Sequence, residues 1–113
     1  MNLSISRDDL KNLIDSGKTP TIVEALPREY YEAEHLPGAI NIPHDEIQAK
    51  AAQVISDKSA AVVVYCASAE CKNSHMAAES LRQLGYTRVY EYVEGKKDWK
   101  EAGLPVEKSG VVV

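Results

Sequence analysis

One run constrains this chain more than any other. "AAVVVYC", residues 60–66, holds seven residues with no charge and no polar/apolar alternation. A strand with one wet face alternates. A run that does not alternate reads as a strand buried on both faces, which belongs in the middle of a parallel sheet. The run stops at Cys66. Small and polar residues follow, and a helical pattern begins at Ser74.

The flanking segments repeat the alternation of strand and helix. Ser6 reads as the N-cap of "RDDLKNLIDSG", with Leu10, Leu13 and Ile14 on one face and Gly17 as the stop. "TIVEAL" (21–26) reads as a strand, and Pro27 opens the short helix "PREYYEAE". "LPGA" is a turn, "AINIP" a second strand and "HDEIQAKAAQVI" a helix. "SHMAAESLRQLGY" is the strongest helix, with Ser74 as its cap and Gly85 as its end. "TRVYEYV" (87–93) suits a flanking strand, and "GKKDWKEAG" a last helix. The expectation is one α/β domain over residues 1–108, with a mainly parallel five-stranded sheet and helices on both faces. Residues 109–113 form a tail, whose valines either pair with a sheet edge or stay disordered.

Composition excludes several functions. The chain has 113 residues, a formal net charge of -4 and no basic cluster beyond Lys96–Lys97, so a nucleic-acid surface is not expected. The N-terminal stretch lacks the n- and h-regions of a signal peptide, and no run is apolar enough to span a membrane. A cytoplasmic location is expected. There, two cysteines read as thiols rather than a structural disulfide. His44 and His75 could join them, but no recognised ligand spacing is present, so they make a poor zinc site and no metal or cofactor is expected.

Cys66 sits at the carboxyl end of the most buried strand and before the strongest helix. Ligands of open α/β sheets bind at that end. A helix N-terminus favours an anion, and small residues let loop amides approach one. Residues 67–73 form such a loop: Ala67, Ser68 and Ala69 are small, and Lys72 is a cation. These features favour a reactive thiolate at Cys66 with a lowered pKa over an inert core cysteine. Cys71 reads as an ordinary loop residue or as a resolving thiol. His35 reads as structural, Trp99 as core, and Tyr30 and Tyr31 as packing residues. His75 is placed equally well at the pocket or on the surface.

Three stretches resemble a rhodanese-like domain, the fold of single-domain sulfurtransferases. They are "EHLPGAINIP", "VVVYCASAECKNSHMAAESLRQLGY" and "VYEYVEGKKDWKEAGLPVEK", in order, within a resemblance from about Leu3 to Glu107. It implies a persulfide cycle. Cys66 would be the nucleophile, and the loop Ala67, Ser68, Ala69, Glu70, Cys71, Lys72, Asn73 and Ser74 would hold the persulfide. The implied partners are a small sulfur donor and a thiol acceptor, a sulfur-relay protein or a thioredoxin-like reductant. The loop is similar to a Cys-x4-Cys-x2-Ser sub-branch: Cys71 stands where the commoner loop carries Arg, and the loop is two residues longer. The family's Asp-x-Arg appears as Glu24 and Leu26, the Gly before the His as Glu34, and the first Gly of the Gly-Gly pair as Glu94. These departures leave the donor open between thiosulfate and other sulfane-sulfur compounds. A redox sensor and a non-catalytic interaction module are the other readings. A phosphatase or arsenate reductase of this fold is disfavoured, because Lys72 lacks the bidentate fork of Arg.

Overall fold

A computed structural model describes residues 3–108, so the tail valines lie outside the described residues. The element order is α1 (Arg7–Asp15), β1 (Thr21–Glu24), α2 (Arg28–Ala33), β2 (Ile40–Asn41), α3 (Ile47–Val54), β3 (Ala61–Tyr65), α4 (Asn73–Gln83), β4 (Arg88–Tyr92) and α5 (Gly95–Glu101). A 3-10 turn, His44–Glu46, leads into α3. The strands run in the order β2-β1-β3-β4, and every pairing is parallel.

The unbroken apolar run is explained by its place. β3 lies between β1 and β4, and both of its faces are covered. Val62 and Val64 point into one core layer with Ile47 and Ala51 of α3 and Ala77 and Leu81 of α4. Val63 and Tyr65 point into the other, with Leu10 of α1 and Trp99 of α5. Each buried aliphatic contributes about 1.5–3 kcal/mol of transfer free energy, so neither face tolerates a polar side chain without a partner.

The sheet has four strands among the described residues, where the sequence suggested five. At the outer edge of β4 there is a single bridge, Ser4 to Glu91. Two backbone bonds make it: Ile5 N–H to the Glu91 carbonyl at 3.1 Å, and Glu91 N–H to the Leu3 carbonyl at 2.9 Å. The chain cannot extend this pairing, because Ser6 already caps α1 by accepting from Asp9 N–H at 3.1 Å.

The N-cap of α4 lies two residues earlier than the pattern suggested. Lys72 is its N-cap, and Ser74 lies inside the first turn with no capping bond. The Ser74 hydroxyl is engaged elsewhere, as shown below. Gly85 ends the helix as expected, with φ +100°. Tyr86 N–H then reaches back to the Leu81 carbonyl at 3.1 Å.

Candidate functional site

Cys66 follows β3 directly and continues the Val62–Val64 face, toward α4. It is 1% exposed. Its sulfur lies 3.4 Å from the Cys71 carbonyl and 3.4 Å from Ser74 Oγ. The single S–H proton serves one of these acceptors at a time. Ser74 is also 1% exposed, and its hydroxyl donates to Glu91 Oε2 at 2.8 Å. The loop folds over the sulfur through Cys71 N–H, which donates to the Ser68 carbonyl at 3.1 Å. Cys66 and Cys71 are both free thiols, Cys71 half-buried.

The first turn of α5 holds the other side of this loop. Lys96 N–H donates to the Cys66 carbonyl at 2.9 Å, and Lys97 N–H to the Ala67 carbonyl at 2.8 Å. These orphan amides of the helix start are satisfied by the site itself. Gly95 permits the approach. Its φ is +73°, and a Cβ there would stand 2.6 Å from the Cys66 carbonyl oxygen and 2.9 Å from Ser68 N. Gly95→Ala is therefore expected to cost about 2–3 kcal/mol, since backbone atoms cannot move aside as a flexible side chain does. Chemical denaturation measures it. A loss under about 0.5 kcal/mol would show that the loop and α5 are not rigidly joined.

The electrostatics of Cys66 differ from the sequence expectation. Burial pushes the thiol up to about 11, and the neighbouring Cys71 adds to the rise, while the Ser74 hydroxyl and amide pull it down. The expected lowering assumed an exposed sulfur. At 1% exposure the loss of water outweighs the start of α4. Lys72 is exposed and stands at the N-cap. Burial thus favours the neutral thiol at Cys66.

A cavity of about 750 Å³ opens beside Ala67, lined by Leu26, Tyr30, Lys97 and Lys100 among others. Its floor rests on a buried network that sequence reasoning missed. Lys96 Nζ reaches Glu24 Oε2 at 3.0 Å and the Tyr30 carbonyl at 2.9 Å, and it also donates to the Glu34 carbonyl. Tyr65 donates to Glu24 Oε1 at 2.6 Å and accepts from Leu36 N–H at 3.1 Å. Glu24 is fully buried, and desolvation holds its carboxyl above the usual range against the pull of Tyr65 and Lys96. The legible signal was an acid inside the apolar run "TIVEAL" and a lysine one helical turn before Trp99.

The structure brings Cys66, Cys71 and Ser74 together and leaves Ala69, Glu70 and Lys72 exposed; Ala67, Ser68 and Asn73 are half-buried. His35 is structural, as read: it stacks on Tyr31 with centroids 3.9 Å apart, and its Nδ1 lies 2.8 Å from the Tyr31 carbonyl. Trp99 is core. Tyr30 is 57% exposed and lines the cavity rather than packing a helix face. His75 lies beside the site, with Nδ1 3.7 Å from Glu91 Oε1. No helix among the described residues is long and apolar enough to cross a membrane.

Comparison with known proteins places the family and the fold. The family model described as "Rhodanese-like domain" matches residues 6–102. The "HTH-type transcriptional regulator Rv0324" of Mycobacterium tuberculosis is 35% identical over 109 residues, covering 96% of this chain and 46% of that protein. The "Thiosulfate sulfurtransferase PspE" of Escherichia coli is 43% identical over 70 residues, covering 62% of this chain and 64% of that protein. The chain thus spans only part of the curated relatives it matches, about half of the regulator. The crystal structure of the BH2092 protein from Bacillus halodurans superposes with a TM-score of 0.88 at 28% identity, over 95% of this chain and 77% of that one.

Proposed function

Because the chain belongs to the rhodanese-like domain family, we propose that it transfers sulfane sulfur through a persulfide on Cys66. The observation that carries this reading is the Cys66 sulfur itself. It is held between the Ser74 hydroxyl and a loop pinned by α5, next to a cavity that reaches Ala67.

The Cys66 thiolate attacks the outer sulfur of a donor such as thiosulfate or a persulfide. With thiosulfate, the S–S bond breaks and sulfite leaves with the bonding pair. An acceptor thiolate, or cyanide, then attacks the outer sulfur of the Cys66 persulfide, and the Cys66 thiolate is released. The Ser74 amide and hydroxyl lie against the charged sulfur in both steps. Lys97 at the cavity supplies positive charge for an anionic donor, while Lys100 beside it is paired with Glu34. The name of the Escherichia coli relative supports thiosulfate as a donor to test first. A sulfur-relay protein or a thioredoxin-like reductant fits as acceptor, in a cytoplasmic setting. Steady-state kinetics with thiosulfate and cyanide test the cycle: parallel double-reciprocal lines are expected, and intersecting lines would exclude a free persulfide enzyme.

A second reading is favoured by one contact, the 3.4 Å between the Cys66 sulfur and the Cys71 carbonyl. A two-electron oxidant such as a peroxide would convert Cys66 to the sulfenic acid. Attack by the Cys71 thiolate would then release water and close a disulfide. Under that reading both cysteines are needed. Under the first, sulfur uptake survives Cys71→Ser.

A further inference from the structure

The role of Glu91 follows from the alternation of β4. Val89 faces α4 in the same core layer as Val64. Glu91, two residues on and in register with Val64, takes the same face at the carboxyl end of the sheet. An acid is out of place in that layer unless it has a partner. Glu91 has two on α4: Ser74, whose hydroxyl donates to its Oε2 at 2.8 Å, and His75, whose Nδ1 lies 3.7 Å from its Oε1. Its side chain is 14% exposed and that of His75 is 41% exposed, so the chain Cys66–Ser74–Glu91–His75 runs from a buried sulfur to water.

We propose that Glu91 receives the Cys66 proton through Ser74. The sulfur donates to Ser74 Oγ, and Ser74 passes its own hydroxyl proton to Glu91 Oε2. The S–H bonding pair stays on sulfur, and Ser74 ends neutral with an exchanged proton. Glu91 then gives the proton to water at its His75 edge. The relay rests on the sulfurtransferase reading only for what the thiolate attacks next.

The need for a relay is plain from burial. A thiol pushed up to about 11 keeps its proton at neutral pH, and water barely reaches it. The titratable groups facing Glu91 are His75 of α4, whose Nε2 lies 3.4 Å from Glu79, and Cys66 with its neighbour Cys71 through Ser74. The segment Leu3–Ile5 meets Glu91 through backbone atoms.

Two roles for Glu91 have opposite signs. As a mere nearby charge it repels the thiolate, and its neutral replacement speeds Cys66. As the proton acceptor it is required, and its replacement slows Cys66. The test is alkylation of Cys66 by iodoacetamide across pH in a Cys71→Ser background, which needs no sulfur transfer. Because Glu91 takes the proton as the carbon–sulfur bond forms and iodide leaves, the Glu91-bearing protein should show a pH-independent rate below the titration of the thiol. Glu91→Gln should lose that plateau, fall tenfold per pH unit, and run at least about tenfold slower at pH 7. Glu91→Asp, which keeps the carboxylate, should retain the plateau at a lower rate. Profiles for Glu91→Gln that match or exceed the parent rate, or identical profiles for the Gln and Asp variants, would overturn the relay. If the relay holds and thiosulfate still leaves no sulfur on Cys66, the functional reading fails and the relay stands.

Discussion

Cys66→Ser is expected to lower sulfur transfer by at least about 1,000-fold, to background, while leaving the fold within about 1 kcal/mol of the parent. The chemistry explains the first half. A serine hydroxyl is a far weaker acid than a thiol, and oxygen forms no stable analogue of a persulfide under these conditions. The site explains the second. The oxygen is smaller than sulfur, and Ser74 Oγ and the Cys71 carbonyl are both in place to accept its proton. Thiosulfate–cyanide turnover and thermal unfolding measure the two halves. Turnover retained above a tenth of the parent would remove Cys66 from the mechanism.

Lys96→Met carries the largest expected effect on stability, a loss of about 3–5 kcal/mol. Methionine replaces the aliphatic stem of lysine but none of its donors. Glu24 loses its cation, and the Tyr30 and Glu34 carbonyls lose their donor. Tyr65 still donates to Glu24 but cannot balance a charge. The carboxyl then relieves its burial by taking up a proton, as its raised pKa already anticipates. A raised folded-state pKa makes the protonated form the stable one. The deficit of the variant should therefore grow as pH rises from the ordinary carboxylate value through the raised folded-state one, and this part of it should be gone once pH falls below the ordinary value. Glu24→Gln added to Lys96→Met should recover part of the loss. Urea unfolding of the three proteins at pH 7 and pH 4 measures it. A deficit under 1 kcal/mol at pH 7 would mean that the pair carries no structural weight.

Much of this was legible in the sequence. "AAVVVYC" announced the central strand because a strand covered on both faces shows no period. Cys66 at its end marked the site, because sheet and helix ends meet there. The three family-like stretches gave the fold. What was not legible depended on packing across elements. The sequence named four strand segments, and the described residues hold those four; the edge of β4 takes only two backbone bonds from Leu3 and Ile5 before Ser6 turns the chain into α1. Ser74 read as a cap because helix starts favour serine; the structure spends its hydroxyl on Glu91 instead. The lowered thiol pKa failed for one reason: a helix start attracts an anion, yet the depth of the sulfur is set by residues far away in sequence, among them Gly95. Glu91 left a faint trace. It shares the inward face of Val89, and an acid there asks for a partner.

The two cysteines differ in place and in role. Cys66 is buried and touches Ser74; Cys71 is half-buried and meets the Cys66 sulfur through its carbonyl. Sulfur transfer needs the first, and a disulfide needs both.

The most direct measurement is intact mass after incubation with thiosulfate and, separately, with a low-molecular-weight persulfide. Three proteins are compared: the parent, Cys66→Ser and Cys71→Ser. A gain of one sulfur atom in the parent and in Cys71→Ser, with none in Cys66→Ser, is the predicted result. No adduct from either donor, or an adduct that persists in Cys66→Ser, would contradict it.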